Sequence, residues 1–154
     1  MSPTTPQTTG LGSELLTVVA KLNRLATQRI PLPLPLAQAR LLGTIDDQGE
    51  ARIYDLAELD HCSQPTMTTQ VRRLEDAGLV TRTPDPDDAR AVRIRITPEG
   101  QRILARVRAD RAAVIDPRIE RLTEQDRETL SAAVGSLHRL LDDIDTSPDS
   151  VTDR

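Results

Sequence analysis

The chain has 154 residues and a formal net charge of −4, with a pI near 5.2: one domain's worth of length, without the bulk basic signature of many nucleic-acid binders. Leu, Ile and Val number 20, 9 and 9, about 25% of the chain and above the ~20% level below which disorder is expected, so a real core is available. Tyr54 is the only aromatic, which argues against stacking platforms for single-stranded nucleic acid, and the lone Cys, the lack of a signal-peptide pattern in MSPTTPQTTG and the absence of ~18 consecutive apolar residues predict a soluble cytoplasmic protein.

In chain order, residues 1–10 read as a mobile tail, and residues 11–145 as a single domain followed by a second tail, 146–154. Ser13 is a candidate N-cap for a first helix with Leu15, Val18, Val19, Leu22 and Leu25 on one face. The run from Ile30 to Pro35 cannot be helical, because each Pro restricts its predecessor. Pro35 suits the first turn of a second helix carrying Leu36, Ala39, Leu42 and Ile45, which Asp46-Asp47-Gln48-Gly49 ends. A short helix from Tyr54 to about Leu59 follows. Ser63 then caps a further helix in which Met67, Val71 and Leu74 form a narrow apolar stripe, and Ala77-Gly78 stops it.

Leu79 to Thr83 and Ala91 to Ile96 read as a β-hairpin with a charged tip. In its second strand Val92, Ile94 and Ile96 alternate with Arg93 and Arg95. Thr97-Pro98-Glu99 opens another helix, with a kink or break expected at Pro117. Thr123 to Asp126 resembles a capping box, and Leu130, Val134, Leu137, Leu141 and Ile144 form an a/d seam over two heptads.

A short helix, a tight turn, a capped helix and a basic hairpin are the layout of a winged helix-turn-helix. The N-terminal side chains of the second helix would reach base edges in a major groove, while arginines further along suit phosphates. Gln64 to Arg73 contains no acid, which favours DNA over a winged helix that only binds proteins. Arg93 and Arg95 read either as DNA-proximal or as an ordinary solvated strand face. No P-loop, HExxH or complete dinucleotide loop occurs, and the paired carboxylates lie at turns or a chain end, so an enzyme is not expected. Neither a cofactor nor a metal is called for.

The stretch from Asp55 to Gly100 resembles the MarR (multiple antibiotic resistance regulator) family. The matching elements are Leu56-Ala57-Glu58, Ser63, Thr66, Arg73-Leu74-Glu75, Gly78-Leu79-Val80, Arg82, Asp88-x-Arg90 and Thr97-Pro98-Glu99-Gly100. The resemblance implies a mainly α fold with a small β-wing: a winged helix-turn-helix lobe at 35–100 with dimerisation helices at 11–34 and 101–145. It further implies a homodimeric repressor on a pseudo-palindromic double-stranded operator, released by a small-molecule effector. Ser63, Gln64, Pro65, Thr66, Thr68, Thr69, Gln70, Arg72 and Arg73 would form the recognition helix, and Arg82, Asp88, Arg90, Arg93 and Arg95 the wing. Asp88 would orient Arg90 for the minor groove through a charge-assisted bond. Leu15, Val19, Leu22, Leu130, Val134, Leu137, Leu141 and Ile144 would carry dimerisation, and an apolar effector pocket would lie near Leu22, Leu42 and Tyr54.

Three positions depart from the family pattern: Asp60 and Gln70 replace apolar residues, and Ala89 replaces a common wing Arg. Two further readings stand beside the main one. A winged-helix interaction module would not bind DNA, and a thiol-based redox regulator would use Cys62, which otherwise reads as a small packing residue.

Overall fold

The computed structural model describes residues 10–145, with side chains to residue 142. The tail positions 1–9 and 146–154, and the side chain of Ile144, lie outside the described residues. The chain divides into two compact units, one up to Ala113 and one from Val114.

The first unit opens with α1 (Leu11–Gln28), which begins two residues before the expected Ser13 cap. Gly10 is the N-cap, its φ of 96° being open to glycine at little cost, and Ser13 lies inside the first turn, where its carbonyl accepts the Thr17 hydroxyl at 2.9 Å. Helix α2 (Leu36–Gln48) is preceded by Pro35 as N-cap and ends at Gly49, φ 71°. Then come β1 (Ala51–Arg52), α3 (Ile53–Leu59), α4 (Gln64–Asp76), β2 (Val80–Pro84) and β3 (Val92–Ile96).

The three strands form an antiparallel sheet in the order β1-β3-β2. Ile94 and Ile96 point into the core, whereas Arg93 and Arg95 take the other face, as the period of two requires. The core gathers Leu42 and Ile45 of α2, Leu56 of α3, Met67 and Leu74 of α4 and Ile94 of β3, all 0% exposed. Each such side chain contributes about 1.5–3 kcal/mol through removal from water.

Helix α5 (Pro98–Ile119) packs back on this lobe through a close approach at its first turn. A Cβ on Gly100 would sit 2.2 Å from the Leu79 carbonyl oxygen and 2.7 Å from Ile96 Cγ1, so only glycine fits. Thr97 fixes the same corner: its hydroxyl donates to the Gly78 carbonyl at 2.7 Å and accepts the Gly100 amide at 3.1 Å. Of the kink or break expected at Pro117, a break does not occur, since α5 continues to Ile119. The ring removes a bond to the Ala113 carbonyl only two residues before the helix ends, a small loss at a terminus that would fray in any case.

In the second unit Thr123 caps α6 (Glu124–Asp145). The Asp126 amide donates to the Thr123 hydroxyl at 3.1 Å, and that hydroxyl donates to the Asp126 carboxylate at 2.7 Å. The shorter Asp thus closes the box on the side-chain hydroxyl.

Candidate nucleic-acid interface

The α3–α4 pair is joined by Asp60, His61, Cys62 and Ser63. His61 has φ 50°, which turns the chain sharply enough to swing α4 across α3. Ser63 is the N-cap of α4, its hydroxyl accepting the Thr66 amide at 3.3 Å and bonding the Thr66 hydroxyl at 2.9 Å. Pro65 sits in the first turn, where its missing N–H costs nothing.

Met67, Val71 and Leu74 are fully buried and dictate which face of α4 remains outside. That outer face carries Gln64, Pro65, Thr66, Thr68, Thr69, Arg72 and Arg73, all exposed, with Gln70 half-buried at its edge. Thr69 bonds back to the Pro65 carbonyl at 3.1 Å, whereas Gln64, Thr68, Arg72 and Arg73 have no side-chain partner among the described residues. The face is therefore acid-free, with its two cations at the C-terminal half.

The hairpin beside it is built by a chain of turns. The Asp87 amide donates to Asp85 Oδ1 at 2.9 Å, the Arg90 amide donates to Asp88 Oδ1 at 2.9 Å, and the Asp85 amide closes on the Ala91 carbonyl at 3.0 Å. Asp88 thus holds Arg90 by a charge-assisted bond to its backbone amide and not to its guanidinium, because the i to i+2 spacing at this turn presents the amide first.

The wing arginines separate into two groups. Arg82 pairs with Glu75 at 2.9 Å, tying β2 to the end of α4. Arg93 contacts Glu50 at 3.0 Å, Asp87 at 3.1 Å and Asp85 at 3.3 Å, and Arg95 pairs with Glu50. Arg90 stands exposed at the tip with no carboxylate partner among the described residues. Asp85, Glu50 and Arg52 were not singled out from the sequence. The Asp85-Pro86-Asp87 spacing is the one signal that pointed there, because an Asp two residues before a free amide forms an Asx turn.

Asp85 is the buried polar side chain of this lobe. Its carboxyl is lowered to about 2, chiefly by the Asp87 amide; burial opposes the shift, and the Arg93 and Arg52 guanidinium groups add to it.

A cavity of about 720 Å³ lies elsewhere in the first unit. One stripe of α2 lines it (Leu36, Ala39, Arg40, Gly43, Thr44, Asp47), together with residues of α1 and α5 that include Arg24, Arg108 and Arg111. None of the expected pocket residues takes part. Leu42 is turned into the core by the helical period, Tyr54 is exposed on α3, and Leu22 is exposed on α1. Among the described residues there is no cluster of metal-ligating side chains, and no helix is long and apolar enough to cross a membrane. Cys62 is half-buried against the core.

A capped helix presented beside a β-hairpin defines a winged helix-turn-helix protein. Residues 34–92 match the MarR family. It is 29% identical over 134 residues to the uncharacterized HTH-type transcriptional regulator Mb0904 of Mycobacterium bovis, covering 86% of this chain and 94% of that protein. It is 28% identical over 115 residues to the HTH-type transcriptional repressor IacR of Pseudomonas putida, covering 75% and 64%. Among solved structures, the transcriptional regulator Tm0710 of Thermotoga maritima superposes with a TM-score of 0.72 at 23% identity, over 91% of this chain and 99% of that one. A mutant MarR of E. coli complexed with operator DNA gives 0.56 at 24% identity, over 82% and 92%. At these identities the structures establish the fold.

Proposed function

We propose that this protein is a cytoplasmic, homodimeric transcriptional repressor that binds a pseudo-palindromic duplex operator and is released by a small molecule. The observation that carries the reading is the acid-free outer face of α4 from Gln64 to Arg73, set beside a hairpin whose tip presents Arg90. Gln64 and Thr68 supply amide and hydroxyl groups for base edges at the end of the helix that enters a major groove. Arg72 and Arg73 lie where phosphates pass, and Arg90 is the cation free to enter a narrow minor groove. The acidic net charge is no obstacle to a locally basic surface, since Glu50, Glu75, Asp85 and Asp87 are paired with Arg82, Arg93 and Arg95, and the outer face of α4 carries Arg72 and Arg73 without an acid. The repressor named among the relatives and the family member held on operator DNA support the same reading.

The cavity suits the effector. Its volume is in the range of small-ligand sites, and four arginines against one lining carboxylate favour a compound with an apolar body and a negative charge. The test is recovery of genomic fragments by the purified protein, followed by a salt titration on the best one. An enriched inverted repeat with half-sites about one helical turn apart is expected. No enriched sequence at low salt overturns the reading in favour of a protein-binding winged helix.

A further inference from the structure

The tip of the wing, Pro86 to Arg90, is exposed at every residue, so no buried apolar group sets its direction. What ties it to the sheet is Asp85, whose side chain is fully buried. The Asp85 amide closes the hairpin on the Ala91 carbonyl at 3.0 Å. Its Oδ1 accepts the Asp87 amide at 2.9 Å and Arg93 Nη2 at 3.3 Å, and its Oδ2 accepts Arg52 Nε at 2.8 Å. Asp87 adds one exposed tether, to the same Arg93 nitrogen at 3.1 Å.

Two features set Asp85 apart from the other ion pairs of the wing. Its guanidinium partners come from different strands, Arg52 from β1 and Arg93 from β3, while Asp85 itself lies one residue past the end of β2. One carboxylate therefore gathers all three strands at the root of the tip. The turn then runs outward from it: Asp85 holds the Asp87 amide, and Asp88 holds the Arg90 amide at 2.9 Å. The series leads from a buried carboxylate to the wing arginine that has no carboxylate partner among the described residues. Breaking the pairing of a buried carboxylate costs far more than breaking an exposed pair, so this clamp holds while the Asp87 tether exchanges.

We propose that Asp85, clamped by Arg52 and Arg93, is the positioning residue that aims Arg90 at the minor groove. The inference rests on the proposed DNA-binding reading and names what directs the wing arm of that interface. Asp85 itself touches no DNA; it acts through Arg90. Without the clamp Arg90 keeps its charge but must be ordered on binding, which costs about two- to tenfold in affinity for one long side chain. The preference for a narrow groove that a well-aimed Arg confers fades with it, whereas base reading by Gln64 and Thr68 stands.

The test uses the full chain and the operator it recovers, with the flanking base pairs made either A·T-rich or G·C-rich. At pH 7, Asp85→Asn keeps an oxygen for the Asp87 amide and loses the charge that holds both guanidinium groups. It is expected to weaken binding about two- to tenfold and to blunt the preference for A·T-rich flanks. Discrimination among bases in the major-groove half-site is expected to stay as in the parent. Combined with Arg90→Ala, Asp85→Asn is expected to bind no more weakly than Arg90→Ala alone. Arg52→Gln, at an exposed position, removes one arm of the clamp and is expected to act in the same direction to a smaller extent. It decides the matter if Asp85→Asn does not fold. Without DNA, amide hydrogen exchange at Asp87 and Arg90 is expected to quicken in both variants more than at Val71 of α4. Losses that multiply in the double variant, or a flank preference equal to the parent's, overturn the proposal, as do tip amides that exchange as in the parent. If the tip amides quicken but no operator is recovered, Asp85 directs the tip and the DNA-binding reading is what fails.

Discussion

Arg52 and Arg93 stand directly opposite each other in the β1–β3 ladder, two like charges on one face of the sheet. Such a pair destabilises a sheet unless something lies between them. Asp85 does: Oδ2 accepts from Arg52 at 2.8 Å and Oδ1 from Arg93 at 3.3 Å. The first prediction concerns this carboxylate. Its folded-state value of about 2 is below the ordinary 3.8, so its contribution is fully present above about pH 4 and is lost as the pH falls through about 2. Asp85→Asn should lower the melting midpoint at pH 6, and the gap from the parent protein should close between pH 4 and 2. Circular dichroism melts across that range check this. A gap that is constant with pH would mean that shape, and not charge, is what Asp85 supplies.

Gly100 is the second. A methyl group 2.2 Å from the Leu79 carbonyl oxygen has to displace backbone, so Gly100→Ala should cost about 1–3 kcal/mol, the range for overpacked sites. Gly43→Ala is the control, because its added methyl meets only Leu104 Cδ1 at 3.9 Å and should stabilise α2 by about 0.5–1 kcal/mol. Urea unfolding of both variants decides. Equal effects would remove the close-approach argument.

The order of elements was legible because it rests on local chemistry. Ser63 caps α4 as its side chain dictates, Gly78 takes the positive φ that follows a helix, and β3 alternates. What was not legible is pairing at a distance. Nothing local tells that Glu50 reaches Arg93 and Arg95, or that Glu75 reaches Arg82, so Arg82, Arg93 and Arg95 were grouped with Arg90 in the wing although all three are ion-paired. The lining of the cavity was not legible for a related reason: Leu42 and Gly43 are adjacent in sequence, yet one faces the core and the other the cavity.

That division of the wing gives the third prediction. Arg90→Ala should reduce operator affinity by about 1.5–3 kcal/mol, the range for charged hydrogen bonds, with no change in melting midpoint. Arg82→Gln should instead cost up to about 1 kcal/mol of stability, as one partly exposed ion pair does. Arg72→Gln and Arg73→Gln should each flatten the slope of log affinity against log salt by about 0.9 for every phosphate the variant no longer neutralises. Fluorescence anisotropy on a labelled operator, titrated with salt, separates these effects. Undiminished affinity for the Arg90 variant would remove its minor-groove role.

The fourth prediction follows from what the helices leave outside. On α6, Leu130, Val134 and Leu141 are 44%, 52% and 60% exposed, with Leu137 half-buried between them. On α1, Val19 and Leu22 are exposed and Leu15 is half-buried. Apolar rows of this length would stay wet in a single chain, and a second copy would cover them by the self-complementary contact of a two-fold dimer. The protein is expected to sediment at twice its chain mass of 17.0 kDa. Val134→Asp puts a carboxylate in the seam without touching the core, so the variant should sediment as a monomer that keeps its helical spectrum. It should also bind a single half-site no more weakly than the parent, while losing the gain from the second half-site. A parent protein that sediments as one chain at micromolar concentration would sink the homodimer, and with it the symmetry expected of the operator.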